Sequence, residues 1–206
     1  TISTCDSLYF WNTNFYDTSG FYTCIFPGNI TNTTPPGTVS TLSYCASNPA
    51  PAFTNQPSTI LEKVHLVGDN FDIINNTGGV PDLYEDYTAT MYADITESQI
   101  YTVSVTPYDI YPTTGEYAPE AINIYIDFNI DGDFLDLGED LGLINIPWGT
   151  WVPGTVYDFS FVVPTTGVYG VTRMRVICMS NAGGTSVSMG PCESSSWMGL
   201  PWFGAT

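Results

Sequence analysis

No stretch of the chain keeps its apolar residues in step with a period of 3.6, the mark of an amphipathic helix. Apolar and polar residues instead alternate in short runs, which recur about every ten to fifteen residues. The clearest runs are 87–93, 100–105, 121–128, 156–163 and 171–179. A period of two sends successive side chains to opposite faces, so each run predicts a strand with one buried face. Turn-forming clusters separate them: Asn76-Thr77-Gly78-Gly79, Thr113-Thr114-Gly115, Pro153-Gly154 and Pro164-Thr165-Thr166-Gly167. Short, evenly spaced strands predict an all-β chain, a β-sandwich of jelly-roll type.

The pattern changes near the N-terminus. Residues 31–43 are rich in Thr, Asn, Pro and Gly and include Pro35-Pro36-Gly37, the composition of a linker. Before them lie Tyr9, Phe10, Trp11, Phe15, Tyr16, Phe21 and Tyr22. Roughly thirty residues cannot bury so many rings alone. The expected division is therefore an aromatic arm with its linker, 1–43, and a sandwich, 44–206. The arm is expected to dock on its own domain, close as a disulfide-tied hairpin, or pair with another chain.

Composition narrows the partners. Hydrophobic residues make up 43% and aromatics 15% of the 206 positions, enough for a packed core. Twenty-one acids face only Lys63, Arg173 and Arg175, for a net charge of −18. Such a balance excludes nucleic acid and anionic membrane surfaces as partners, because both demand Lys and Arg. No apolar run has the length of a membrane span. Five cysteines, scarce Lys and a first residue that is not Met suggest an excised, extracellular product. Asn29, Asn32 and Asn75 stand in N-glycosylation sequons, and Asp6-Ser7-Leu8 resembles an O-glycosylation site.

The acids cluster in one place. Asp127-Phe128-Asn129-Ile130-Asp131-Gly132-Asp133 puts an oxygen donor at every second position, with Gly at the sharp turn, like the first half of an EF-hand loop. A curling chain of this spacing directs its oxygens inward at one ion, and the Gly permits the reversal. An EF-hand has its bidentate Glu at position twelve; here Gly138 stands there and Glu139 follows. Because 121–126 alternates as a strand, the loop is expected to be strand-borne. The expected Ca²⁺ ligands are Asp127, Asn129, Asp131, Asp133 and Glu139, with Asp136 a further candidate. Phe128 and Phe134 are expected to anchor its flanks in the core. The competing reading is an acidic turn closed by Asx hydrogen bonds alone.

These residues resemble the GEVED domain, a module of secreted and surface proteins of Bacteroidetes-type bacteria. The resemblance runs over 44–206. Tyr44-Cys45 is similar to the family's opening Tyr-Cys, and Ile74-Asn75-Asn76-Thr77-Gly78 and Tyr84-Glu85-Asp86-Tyr87-Thr88 to its Asn-rich turn and next strand. Residues 125–134 with Gly138-Glu139 resemble its W-I-D-W-N-x-D-G-D-F…G-E signature, where the Glu likewise falls thirteenth. Val163-Pro164, Gly170, Thr172-Arg173-Met174-Arg175-Val176 and Pro191-Cys192 resemble its later motifs. At the end, Gly204-Ala205-Thr206 departs from the Gly-Glu-Val-Glu-Asp run that names the family. The resemblance implies a β-sandwich accessory or surface module without chemistry of its own, with Cys45 paired to Cys192 and Cys5 to Cys24. Spacing alone leaves Cys178–Cys192 open as well. Cys178 shares strand parity with Met174 and Val176, which predicts a buried free thiol.

Arg173 and Arg175 fall on one strand face and are expected to pair with carboxylates. A lone histidine, His65, excludes His-rich zinc sites and most Ser-His-Asp arrangements. Neither G-x-S-x-G nor a phosphate-binding Gly loop is present, so no enzyme is expected. A secreted hydrolase working through two facing carboxylates stays open beside two readings without catalysis. One is a calcium-stabilised structural or adhesive module, self-assembling into surface filaments by β-strand addition or joining other surface proteins. The other is a carbohydrate-binding accessory module of a larger secreted enzyme, holding glycans on Trp148, Trp151, Trp197 and Trp202.

Overall fold

The computed structural model describes residues 9–11, 14–16, 42–47, 59–78, 84–109, 121–147, 150–180, 190–192, 196–197, 200–201 and 203–205. The chain divides into two compact units, Thr1–Thr41 and Leu42–Thr206. In the first, β1 (Tyr9–Trp11) and β2 (Asn14–Tyr16) pair antiparallel, with Tyr9 opposite Tyr16. Cys5 and Cys24 lie outside the described residues, and so do Trp148 and Trp202.

The second unit is a β-sandwich, and no described residue is helical. One sheet runs β4 (Ile73–Asn76), β3 (Thr59–Leu66), β5 (Ile100–Asp109), β8 (Tyr157–Val162). The other runs β12 (Phe203–Ala205), β9 (Met174–Ser180), β6 (Ala121–Ile126), β7 (Asp140–Asn145). Every pairing within them is antiparallel. β10 (Ser196–Trp197) and β11 (Leu200–Pro201) form a small antiparallel ladder of their own. The chain changes sheets after β5, after β7 and after β8. Val103 and Val105 of β5, Phe159 and Phe161 of β8, and Ile122 and Ile124 of β6 meet between the sheets. Cys178 lies in this core as a free thiol, as its parity predicts. Burial raises its pKa.

Four of the five alternating runs are strands. The fifth is not: residues 87–93 form a turn and an irregular segment. The Asp86 carboxylate accepts the Thr88 N–H at 2.9 Å and the Thr88 hydroxyl at 2.6 Å, and Thr90 and Met91 donate back to the Tyr87 carbonyl. This local bonding gives the backbone an alternative to a ladder. In β3 a bulge between Leu61 and Lys63 shifts the parity, so core-facing Leu61 is followed by Val64 and Leu66.

β6 is buried on both faces. Its inner side meets the core, while Ala121 and Tyr125 on its outer side join a second cluster with Phe134, Ile177 and Met179. Tyr44, from the segment 42–47 that leads into the sandwich, packs against this outer cluster.

Candidate calcium site

The acidic loop joins β6 to β7, entering at Asp127 just past Ile126 and leaving at Glu139 just before Asp140. Its neck is closed by the Ile126 N–H on the Glu139 carbonyl at 2.9 Å. Asp127 is fully buried and forms the hub. Its Oδ1 accepts the N–H groups of Ile130 (2.6 Å) and Asp131 (3.3 Å), and its Oδ2 accepts that of Gly132 (3.0 Å) and the Tyr44 hydroxyl (2.7 Å). The turn around this hub demands a left-handed backbone at Gly132 (φ 98°) and also at Ile130 (φ 59°). That conformation in a β-branched residue costs about 1–3 kcal/mol and persists only because the bonds to Asp127 enforce it.

Glu139, also buried, accepts the Phe128 N–H at 3.0 Å and the Asp136 N–H at 3.3 Å. Burial pushes its pKa upward, partly opposed by those same N–H groups. Phe128 enters the inter-sheet core and Phe134 the outer cluster, as the sequence predicts for the loop's two anchors.

The outer half of the loop curls through successive Asx turns. Asn129, Asp131 and Asp133 each accept, through a side-chain oxygen, the N–H two residues on, at 3.2, 3.1 and 2.8 Å. The alternate spacing of oxygen residues is what creates this curl. It brings carboxylate oxygens of Asp131, Asp133 and Asp136 within 4.8 Å of one another. The Asn129 amide donates to Asp131 at 3.0 Å and to Asp136 at 2.6 Å. The Asp133 N–H, then the Asn129 amide, hold the Asp131 pKa below the usual carboxylate range. The predicted residues thus form two tiers: Asp127 and Glu139 inside, bonded to loop N–H groups, and Asn129, Asp131 and Asp133 outside. Asp136 belongs with the outer tier as a full member.

Sequence reasoning missed the entering segment as part of the site. Besides the Tyr44–Asp127 bond, the Tyr44 ring lies 5.0 Å from that of Phe134, and the Arg173 guanidinium sits 4.6 Å above it. Burial, then the bond to Asp127, push the Tyr44 phenol up to about 12. The next residue, Cys45, forms a disulfide with Cys192. Arg175, buried, donates to the Cys45 carbonyl at 2.8 Å and to the Pro191 carbonyl, and lies 5.1 Å from the Phe134 ring centre. Among the described residues Arg175 serves a ring and two carbonyls, whereas Arg173 lies over the Tyr44 ring and, after the bonds from Thr88, its charge helps lower the Asp86 pKa; neither is bonded to the inner carboxylates. Those of Asp127 and Glu139 are already engaged by backbone N–H groups. The Tyr-Cys step at 44–45 was the one signal that could have found this segment.

A family model matches residues 121–199, from the start of β6 past the acidic loop to β10, and its description is the GEVED domain. Over this stretch the chain is similar to a GEVED domain. No curated protein and no solved structure matches the chain. The match is narrower than the expected 44–206, leaving Tyr44-Cys45 and the motifs at 74–88 outside it. Yet the GEVED segment supplies only β8 to the β4–β3–β5–β8 sheet, so its core is complete only with β3 to β5. The Cys45–Cys192 disulfide and the Tyr44–Asp127 bond fasten the upstream segment to it. The disulfide is compatible with an extracellular setting. Among the described residues no helix is long and apolar enough to cross a membrane.

Proposed function

We propose that this chain is a non-catalytic extracellular module whose sandwich is stabilised by one calcium ion at the acidic loop. The observation that carries this reading is the convergence of Asp131, Asp133 and Asp136 carboxylate oxygens within 4.8 Å. Three carboxylates so close repel one another until a cation neutralises them. The donor set is all oxygen and sits on a curled loop, which fits the hard, flexible coordination of Ca²⁺. Asn129 already offers N–H to two of these carboxylates, the kind of positive partner that a cation replaces. Asp131, Asp133 and Asp136 would hold the ion with Asn129, while Asp127 and Glu139 fix the curl from beneath and add negative charge. Bound calcium would supply charge neutralisation and nothing catalytic.

The reading includes self-assembly by strand addition, supported by β8. Among the described residues it ends its sheet, and it alternates cleanly with neither Lys nor Pro along it. Thermal unfolding of metal-stripped protein tests the calcium reading. The expected result is a higher melting temperature in excess Ca²⁺ and little response to Mg²⁺, which demands a tighter octahedral site. Identical curves in EDTA and in calcium would refute it.

A further inference from the structure

Far from the acidic loop in sequence, the outer face of the β4–β3–β5–β8 sheet holds an open groove of about 400 Å³. His65, Val67, Gly68, Ile100, Thr102 and Ser104 line it. Its floor is a patterned row of hydroxyls. Ser104 donates to the Asp158 carboxylate at 2.6 Å, which fixes its proton and leaves its lone pairs free to accept. Thr102 and Ser160 share one hydrogen bond at 2.8 Å, so one of their two protons remains to be donated.

At its Gly68 end the groove adjoins a turn that is locked in place. The Asp94 carboxylate accepts the N–H of Asn70 (2.8 Å), the Asn70 amide (2.6 Å) and the N–H of Phe71 (2.8 Å). Asp69 accepts the hydroxyls of Thr96 (2.6 Å) and Tyr101 (2.8 Å). A Cβ at Gly68 would lie 2.3 Å from the Phe71 carbonyl oxygen, so only glycine permits this close passage. The turn presents Phe71 beside Tyr92, ring centres 5.0 Å apart, and the two side chains remain 51% and 60% exposed. An exposed aromatic pair carried by the turn that adjoins a groove with hydroxyls on its floor matches a sugar, which offers an apolar C–H face and a rim of hydroxyls.

We propose that the groove and the Phe71–Tyr92 pair form a binding site for a neutral oligosaccharide. Neutrality follows from the net charge of −18, which repels polyuronates and sulfated glycans. The site shares no residue with the acidic loop and stands or falls independently of the calcium reading.

The test is an amide NMR titration of the full chain with neutral hexasaccharides of the β-glucan, xylan, mannan and chitin types, and with a polyuronate. At least one neutral sugar is expected to give saturable shifts at residues 65–71, 92–94 and 100–104, with a Kd on the order of 1 mM or tighter. Phe71→Ala should weaken that binding about tenfold, whereas Phe71→Tyr, which keeps the ring, should retain it. Absence of groove shifts with every neutral sugar, unchanged affinity in Phe71→Ala, or tighter binding of the polyuronate would each overturn the proposal.

Discussion

Replacing Tyr44 by Phe removes a single hydroxyl from the site and leaves its ring on Phe134 and under Arg173. What is lost is one of the four hydrogen bonds to the buried Asp127 carboxylate. A hydrogen bond to an ionised acceptor contributes about 1.5–3 kcal/mol. Tyr44 is only half-buried, so water can partly replace its hydroxyl, and about 1–2 kcal/mol is the expected loss. For a domain of this size that lowers Tm by roughly 3–6 °C. The effect also has a pH signature. The folded phenol is raised to about 12, by burial first and then by the Asp127 bond, against about 10 when unfolded. The stability tied to the neutral phenol is therefore complete below pH ~10 and lost as pH rises through ~12. The variant lacks that limb, so its deficit should narrow above pH ~10. Calorimetric melts of both proteins at neutral and alkaline pH measure this. An unchanged Tm in the variant, or a deficit that is the same at both pH values, would refute the role given to the Tyr44–Asp127 bond.

Removing the Cys45–Cys192 disulfide, which spans 147 residues, should cost about 5 kcal/mol by chain entropy and be read directly in denaturant melts. Arg175→Lys should cost about 2 kcal/mol, because the fork that reaches the Cys45 and Pro191 carbonyls is lost, and should speed disulfide reduction in thiol assays. Deleting residues 1–41 should leave the sandwich folded by circular dichroism and abolish any filaments seen by electron microscopy; filaments that persist would place the assembly interface in 42–206.

The parts of the fold legible in sequence were those where side-chain parity matches burial. In β8, Phe159 and Phe161 point inward while Asp158, Ser160 and Val162 point out, and alternation reads this directly. Parity fails at β3, where the bulge after Leu61 breaks the period, and at 87–93, where Asp86 captures the backbone of Thr88. The loop was legible because its spacing is its mechanism: Asx turns at every second residue make the curl. The tiers within it were not, since spacing does not say which carboxylates the backbone will claim. Nor could spacing reveal that Arg175 turns to carbonyls, because its partners lie at Cys45 and Pro191 and meet it only through the disulfide.

Calorimetric titration of Ca²⁺ into the metal-stripped chain, beside an Asp131→Asn, Asp136→Asn double variant, tests the central claim most directly. The expected result is one ion per chain for the native sequence, with stabilisation of about 2.7 kcal/mol at a hundredfold excess over Kd, and no binding heat in the variant. A native chain that gives no heat, or a variant that binds as the native chain does, would contradict it.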